Sequence, residues 1–270
     1  MEKIELNSTV RHTTNTLESG VIESIKEVNY GYGWRECYED KPFSELFPTV
    51  TKKPNVTFLL GDNMLFLRWM KDNMMWHHFH CGIVDPPYGI SVGKMNLGKT
   101  KDQVRNFESG NWDNETPTQE YWDLLRYVCR NLIVWGGNYF TKEINFSGRS
   151  FDVWDKQNEN MSFAWGELAL TDFDMLPSRI HAARNKASDY ADGKKRHPTQ
   201  KPVYVYDFLH TKYELKGKKV LDTHGGSHSH AIAAGKTGAI LTIIERDEVY
   251  QADGIAAYNE TMNGKSGRLF

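Results

Sequence analysis

Short apolar runs separated by an amphipathic stretch open the regular part of the chain. Residues 56–60 and 81–84 are compact apolar runs that stop at Gly61-Asp62 and Asp85-Pro86, a pattern typical of buried strands. Residues 64–71 lie between them and predict a short helix. Because parallel strands require a crossover connection, this order predicts an α/β fold with a mainly parallel sheet.

The same texture continues further along the chain. Residues 116–119, Thr-Pro-Thr-Gln, combine a capping box with proline at the first helical position, so a helix of about fourteen residues follows. Residues 132–135 predict a strand ended by two glycines. Near the C-terminus the pattern predicts helices at 204–213 and 230–236 and strands at 219–222 and 239–244, which complete a βαβ unit.

Two segments lack this regularity. Residues 1–53 are polar and aperiodic, and we expect them to form an N-terminal arm. Residues 141–197 show weak periodicity and many basic or aromatic side chains, which indicates an irregular inserted lobe. The α/β domain is thereby divided into residues 54–140 and 198–270.

Composition is that of a soluble globular protein, with 39% apolar and 25% charged residues in 270. The formal net charge of -2 gives no overall attraction to phosphate, so nucleic-acid contact requires a local patch. Such a patch lies between residues 176 and 201. Its basic residues outside the motif described below are Arg179, Arg184, Lys186, Lys194, Lys195 and Arg196, and we expect them to contact DNA.

Cysteine and histidine positions argue against a disulfide framework or a metal site. Cys37, Cys81 and Cys129 are widely spaced, which fits a reducing cytosol. The histidines at 77, 78 and 80 are clustered, but histidines this close in a loop rarely converge on one ion without a carboxylate or thiolate partner, so we expect no bound metal. Without an apolar run of about eighteen residues or a signal-peptide start, we expect a cytoplasmic protein with no membrane contact.

Asp85-Pro86-Pro87-Tyr88 is the first motif that carries chemistry. Two prolines cannot continue a central strand, so the chain leaves the sheet at its carboxyl edge, where open α/β sheets bind ligands. An aromatic amine is a poor nucleophile because its lone pair is delocalised into the ring. A carboxylate and a fixed carbonyl aimed at one point can accept its hydrogens and favour sp3 geometry. As four residues alone, the motif is equally typical of a surface turn.

Two further motifs lie downstream. Residues 221–227, Leu-Asp-Thr-His-Gly-Gly-Ser, place a glycine turn after a strand, as nucleotide sites require, although such turns are often structural. Glu245 follows at the end of the next strand, where a carboxylate would meet ribose hydroxyls. Residues 197–202, His-Pro-Thr-Gln-Lys-Pro, precede a helix, and by composition alone they are a proline-rich connector.

Taken together, these motifs resemble the amino-methyltransferase family of DNA methylases, in the permuted order called the beta class. Further stretches are similar to phage-borne and prokaryotic members, and the resemblance covers about residues 58–250. These stretches are Gly61-Asp62, Asn111-Trp112-Asp113, Trp135-Gly136-Gly137-Asn138-Tyr139-Phe140 and Val153-Trp154-Asp155-Lys156.

The resemblance implies a Rossmann-like fold, S-adenosylmethionine as cofactor and double-stranded DNA as substrate, with N6 of adenine as target. Asp85, Pro86, Pro87 and Tyr88 would form the catalytic loop, in which Asp85 and Pro86 would bind the amine and Tyr88 would stack on the flipped base. Residues 54–140 would be the catalytic half, 141–197 the target-recognition region and 198–270 the cofactor-binding half. The implied cofactor-binding residues are Asp62, Thr199, Lys201, Asp222, Gly226, Ser227 and Glu245.

The glycine turn departs from the family pattern at two positions. His224 stands where the family has an aromatic residue, and His228 replaces the second glycine. A side chain where positive φ or close ligand approach is needed would be costly and would impair cofactor binding. Two alternatives therefore stay open: N4-cytosine methylation, which uses the same amine chemistry, and a DNA-binding decoy that transfers no methyl group. Whether the chain is a monomer or a homodimer is also open, as is a restriction partner.

C5-cytosine methylation requires a cysteine nucleophile, and none of the three cysteines lies in a proline-cysteine loop. The sequence therefore favours direct transfer of the methyl group to an amine.

Overall fold

The computed structural model describes residues 42–90, 116–157, 164–181 and 199–264. Within these ranges nine strands form one sheet, in the order β1-β2-β9-β8-β3-β4-β6-β5-β7. The strands are β1 (Thr49–Lys52), β2 (Val56–Leu60), β3 (Phe79–Val84), β4 (Cys129–Trp135), β5 (Phe151–Asp155), β6 (Gly166–Thr171), β7 (Ser178–His181), β8 (Lys219–Asp222) and β9 (Ile240–Glu245). The helices are α1 (Phe43–Leu46), α2 (Asn63–Asp72), α3 (Gln119–Val128), α4 (Val203–Lys212), α5 (Ser229–Thr237) and α6 (Glu248–Gly264).

Five central strands, β2, β9, β8, β3 and β4, run parallel. The register places Val84 beside Val134 and Asp222 beside Ile243. Successive side chains point to opposite faces of a strand, and both faces here are apolar because both are covered. The predicted α/β class with a mainly parallel sheet is confirmed.

Helices cover the sheet on both sides. Helices α4, α5 and α6 pack on the face that carries Ile83 and Ile133. Helices α1, α2 and α3 pack on the face that carries Leu132 and Val134. The carboxyl ends of the central strands therefore meet at one edge between two helical layers, as in other doubly wound sheets.

Most predicted elements in the described ranges are confirmed to within a few residues, and helix α3 is the exception. The first turn of α3 is capped by Thr118, whose side chain accepts from Tyr121 N, so Pro117 is not at the first helical position. The helix has ten residues rather than about fourteen, because Cys129 already belongs to β4. Helix α6 was not predicted from the sequence.

The expectation of an irregular lobe at 141–197 is corrected by three strands. β6 pairs antiparallel with β4, and β5 and β7 extend the sheet beyond it. The alternation of polar and apolar residues did not predict these strands, because Asp152 on β5 is polar but fully buried. Its carboxylate is bound by Lys212 Nζ at 2.6 Å and by Tyr213 OH at 2.7 Å. When the partners of a buried carboxylate are distant in sequence, the sequence alone suggests an exposed loop residue at that position.

The expected N-terminal arm also joins the domain in part. α1 contributes to the apolar cluster beside α2, and β1 pairs antiparallel with β2, Thr49 opposite Leu60. The preceding residues 1–41 lie outside the described ranges. Among the helices described, none has the length and apolar character needed to cross a membrane.

Candidate active site

A cavity of about 440 Å³ opens at the carboxyl edge of the central strands. This volume lies in the range of small-molecule sites. The cavity wall brings together eight of the predicted site residues from segments far apart in sequence. These are Asp62, Asp85, Pro87, Thr199, Lys201, Gly226, Ser227 and Glu245, whereas Pro86, Tyr88 and Asp222 are not part of the wall.

The Asp85 carboxylate is fixed by two donors directly after β3. Tyr88 OH donates to Asp85 Oδ1 at 2.7 Å, and Lys201 Nζ lies 2.6 Å from Asp85 Oδ2. Burial raises the pKa of Asp85 above its ordinary value, against the opposing effect of the Lys201 ammonium. The result is an oriented carboxylate at the cavity wall, with a proline carbonyl next to it in the chain.

The Tyr88 ring is held by close contacts with the segment that follows β4. Tyr139 stacks on it with ring centroids 5.0 Å apart and planes within 11°. Gly136 adopts φ +63°, and a Cβ at this position would lie 2.3 Å from Tyr88 Cε1. Only glycine satisfies both the backbone conformation and the contact. Tyr139, which the sequence did not single out as a site residue, is half exposed beside the loop of residues 85–88.

The glycine turn after β8 is tied to Glu245 by its backbone. Gly226 has φ +50°, and its N–H donates to Glu245 Oε2 at 2.6 Å. Asp247 N donates to the other oxygen, Oε1, at 2.8 Å. The carboxylate is thereby oriented at the end of β9, where it faces the cavity, as the sequence predicted for a ligand with hydroxyl groups.

Asp222 shapes the turn from behind the cavity wall. Its Oδ1 accepts from His224 N at 2.9 Å, and its Oδ2 lies 2.8 Å from His230 Nδ1. His230 stacks on Tyr206 and contacts His210, both on α4. The geometry of Asp222 is therefore that of a residue that fixes the turn, and the predicted contact with the cofactor stays a prediction.

His228 adopts the left-handed conformation, with φ +58°, so the concern about positive φ at this position was justified. Its ring, however, is fully buried and is not part of the cavity wall. It stacks on Phe58 with planes within 6°, and its Nε2 lies 2.7 Å from Gln251 Oε1. Gly254 of α6 leaves the space that the ring occupies. The substitution is accommodated away from the ligand side of the turn.

His224 does line the cavity, and its ring is held by two neighbours. Asn63 Nδ2 lies 3.2 Å from Nε2, and Thr223 Oγ1 lies 3.0 Å from Nδ1. Because the other hydrogen of the Asn63 amide goes to Thr223 O, Nε2 accepts and Nδ1 carries the proton. Burial lowers the pKa of His224 to about 4, so the ring is neutral near pH 7.

Asp62 is part of the cavity wall and caps helix α2. Its Oδ1 accepts from Met64 N at 2.7 Å and from Leu65 N at 3.2 Å. The same cavity wall contains Asp247, whose Oδ1 accepts from Val249 N and Tyr250 N at the start of α6. Carboxylates at two helix N-termini therefore face one ligand space.

Glu167 is a site residue that sequence reasoning missed. It lies on β6 with its Oε2 2.9 Å from Lys201 Nζ, while Lys156 Nζ pairs with its Oε1. Burial alone would raise its pKa, but the two ammonium groups lower the pKa of Glu167 to about 2. The sequence signal was weak, because residues 167–170, Glu-Leu-Ala-Leu, show only a short apolar run after Glu167 inside the region taken as irregular.

The predicted DNA-binding residues are described only in part. Arg179 on β7 forms an ion pair with Asp155 and keeps 58% of its side chain exposed. The other five, Arg184, Lys186, Lys194, Lys195 and Arg196, lie outside the described residues, as do residues 111–113 and 197–198. DNA contact by this patch stays a prediction. In the described ranges no three potential metal ligands come together.

Comparisons with known proteins do not assign an activity. No family model matches the sequence, and neither does any curated protein. Among solved structures, the M1.HpyAVI–SAM complex aligns over 76% of this chain and 99% of its own, with 13% identity and a TM-score of 0.48. For the PvuII DNA methyltransferase (cytosine-N4-specific) the shares are 81% and 97%, with 14% identity and a TM-score of 0.49.

A putative DNA modification methylase from Thermus thermophilus, complexed with S-adenosyl-L-methionine, aligns over 77% of this chain and 96% of its own. Its identity is 14% and its TM-score 0.46. Identities and TM-scores this low transfer neither substrate nor chemistry to this chain, so function has to be argued from the site.

Proposed function

We propose that the chain is an S-adenosylmethionine-dependent DNA methyltransferase that methylates N6 of adenine. One observation carries the proposal: a single cavity has the oriented carboxylate of Asp85 in its wall together with the glycine turn and Glu245. Methyl transfer to an amine requires these two half-sites side by side, one for the acceptor and one for the donor.

The residues of the cofactor half suit S-adenosylmethionine. Glu245, pre-oriented by Gly226 N and Asp247 N, is an acceptor for ribose hydroxyls, and Asp62 is an acceptor beside the same space. Thr199 and Ser227 supply hydroxyl groups to the wall. When bound, the cofactor supplies an electrophilic methyl group on a sulfonium.

The catalytic half suits an exocyclic amine. Asp85 presents its carboxylate in the cavity wall, where it can accept one hydrogen of an NH2 group. We assign the second acceptor to the carbonyl of Pro86, which follows Asp85 in the chain but is not itself part of the cavity wall. Accepting both hydrogens localises the nitrogen lone pair for attack. Tyr88 fixes the carboxylate through its hydroxyl. Its ring is stacked on Tyr139 and lies outside the cavity wall, so its predicted stacking on a flipped base has no support in this geometry.

Adenine and DNA rest on the motif resemblance and the predicted basic patch, because N4 of cytosine would make the same hydrogen bonds to Asp85. In this proposal residues 141–197 recognise the target through the edge strands β5, β6 and β7 and the basic segment that follows them. The decoy alternative loses its main argument, because the His228 ring lies outside the cavity wall.

The test is transfer of a labelled methyl group from S-adenosylmethionine to unmethylated double-stranded DNA, followed by nucleoside analysis. We expect N6-methyladenine from the wild-type protein. We expect Asp85→Ala to lower kcat about 100-fold or more while cofactor affinity in calorimetry is retained. Asp123→Ala is the matched control, since Asp123 is exposed on α3 and accepts a hydrogen bond from its own helix neighbour Gln119.

The alternatives give different outcomes in the same experiment. N4-methylcytosine as the product would support the cytosine alternative. Cofactor binding without transfer to any DNA, or no cofactor binding by the folded protein, would overturn the enzyme proposal in favour of the decoy.

A further inference from the structure

A chain of alternating charges, in which Lys201 is fully buried and its partners are partly buried, runs from the catalytic loop to the residue after β5. Lys201 Nζ lies 2.6 Å from Asp85 Oδ2 and 2.9 Å from Glu167 Oε2, and Lys156 Nζ pairs with Glu167 Oε1. The Lys201 side chain is 2% exposed, so its ammonium has exchanged water for these partners. An ammonium desolvated to this extent requires fixed anionic partners.

Two carboxylates share the one ammonium. If Lys201 faced Asp85 alone, its full charge and its hydrogens would neutralise the carboxylate that has to accept hydrogens from the substrate amine. Glu167 takes part of that interaction and adds a negative charge beside Asp85. Both effects strengthen Asp85 as a hydrogen-bond acceptor.

Lys156 stabilises the ionised form of Glu167 through its ion pair with Oε1. Because Lys201 and Lys156 lower the pKa of Glu167 while burial raises the pKa of Asp85, the two carboxyl groups differ in proton affinity. Divergent environments of this kind assign different roles to two acids in one site. Burial thus favours the protonated form of Asp85, whereas the two ammonium groups favour the ionised form of Glu167.

We propose that Glu167 is a positioning residue for methyl transfer, which divides the Lys201 ammonium between two carboxylates and so sets the acceptor strength of Asp85. The inference rests on the proposed function. Glu167 lies outside the cavity wall, so it acts through Lys201 and not by contact with the cofactor.

The titratable groups around Asp85 limit the explanations of any change in its ionisation. Lys201 lies before α4, Glu167 is on β6, and Tyr88 belongs to the catalytic loop itself. Tyr206 of α4 faces the same charges, and burial raises its pKa well above the ordinary value, so it is neutral. Within the part of the chain that the structure describes, Lys201 and Glu167 are therefore the groups that bring charge to Asp85.

The first experiment measures Asp85 in the cofactor-free protein, by NMR titration of aspartate labelled with 13C at Cγ and assigned with Asp85→Asn. Removing a negative neighbour with Glu167→Gln should lower the Asp85 midpoint by about one pH unit. Removing a positive group with Lys156→Gln should move it the opposite way by a smaller amount. Unchanged midpoints would overturn the proposal whatever the protein's activity.

The second experiment measures kcat against pH at saturating cofactor for the same variants. We expect the pH at which kcat falls on the acid side to follow the Asp85 midpoints measured by NMR. Glu167→Gln should also lower the maximal kcat at least tenfold while the Kd of the cofactor is unchanged. Glu167→Asp keeps the charge and should restore the pH at which kcat falls, which general damage to the fold would not do. Thermal unfolding checks that each variant is folded.

The outcomes separate the inference from the proposed function. Transfer by every variant at the wild-type maximal kcat would overturn the role of Glu167 and leave the methyltransferase proposal standing. Absence of transfer by the folded wild-type protein would overturn both, even if the NMR midpoints moved as expected.

Discussion

The contact between His228 and Gly254 predicts that one substitution, Gly254→Ala, changes the free energy of unfolding in opposite directions with and without the His228 ring. A Cβ on Gly254 would lie 2.5 Å from His228 Cγ and 2.8 Å from its Cβ. The ring cannot retreat, because it stacks on Phe58 and its two nitrogens lie 3.0 Å from Gly226 O and 2.7 Å from Gln251 Oε1. Gly254→Ala is therefore expected to destabilise the protein despite its position within helix α6.

The magnitudes follow from two opposing effects. Overpacking a filled interior costs about 1–3 kcal/mol, while alanine is favoured over glycine inside a helix by about 1 kcal/mol. The net loss from Gly254→Ala is up to about 2 kcal/mol. In a His228→Gly background the clash disappears, and Gly254→Ala should then stabilise by about 1 kcal/mol, so the coupling energy is about 1–3 kcal/mol.

Urea unfolding followed by circular dichroism measures the free energy of unfolding for the wild type, both single variants and the double variant. His228→Gly alone should be destabilising, because the loss of the buried ring outweighs the relief of its left-handed backbone. An equal effect of Gly254→Ala in both backgrounds would show that the ring does not occupy the space left by Gly254, and would reopen the question of where it points.

Two further predictions concern the site. Gly136→Ala would place a Cβ against Tyr88 at a backbone with φ +63°. The kcat for methyl transfer should therefore fall at least tenfold while cofactor affinity is retained, and an unchanged kcat would contradict the contact. The pKa of His224 is about 4 in the folded protein and about 6.5 in the unfolded chain. Because the unfolded chain therefore binds a proton at a higher pH, the protein loses stability as pH falls from 6.5 towards 4. The loss is at most about 1.4 kcal/mol per pH unit and should be absent in His224→Phe; parallel unfolding profiles would contradict it.

Local sequence patterns were sufficient for the central sheet and for the side on which the site lies. Apolar runs stopped by Gly61, by Pro86 and by the turn after Asp222 determine where strands end, and the carboxyl ends of parallel strands share one edge. For this reason Asp85 and Glu245 could be assigned to this edge before any geometry was known, whereas Asp62 was assigned through the motif resemblance.

The edge strands β5 to β7 could not be recognised in the same way. Their pattern is interrupted by buried carboxylates, Asp152 and Asp155, whose partners Lys212 and Arg179 come from other elements. An alternation of polar and apolar residues predicts a strand only when the polar side chains face water. It therefore does not predict strands that bury charged pairs.

The sequence by itself determined the parallel core, the site at the carboxyl edge and the place of Asp85 in it, because each depends on residues adjacent in the chain. Only the tertiary structure decided that Lys201 bridges Asp85 to Glu167 and that the His228 ring turns away from the cavity. Both depend on side chains brought together from distant segments, and a buried charge or ring takes its direction from the partners and space that packing leaves to it.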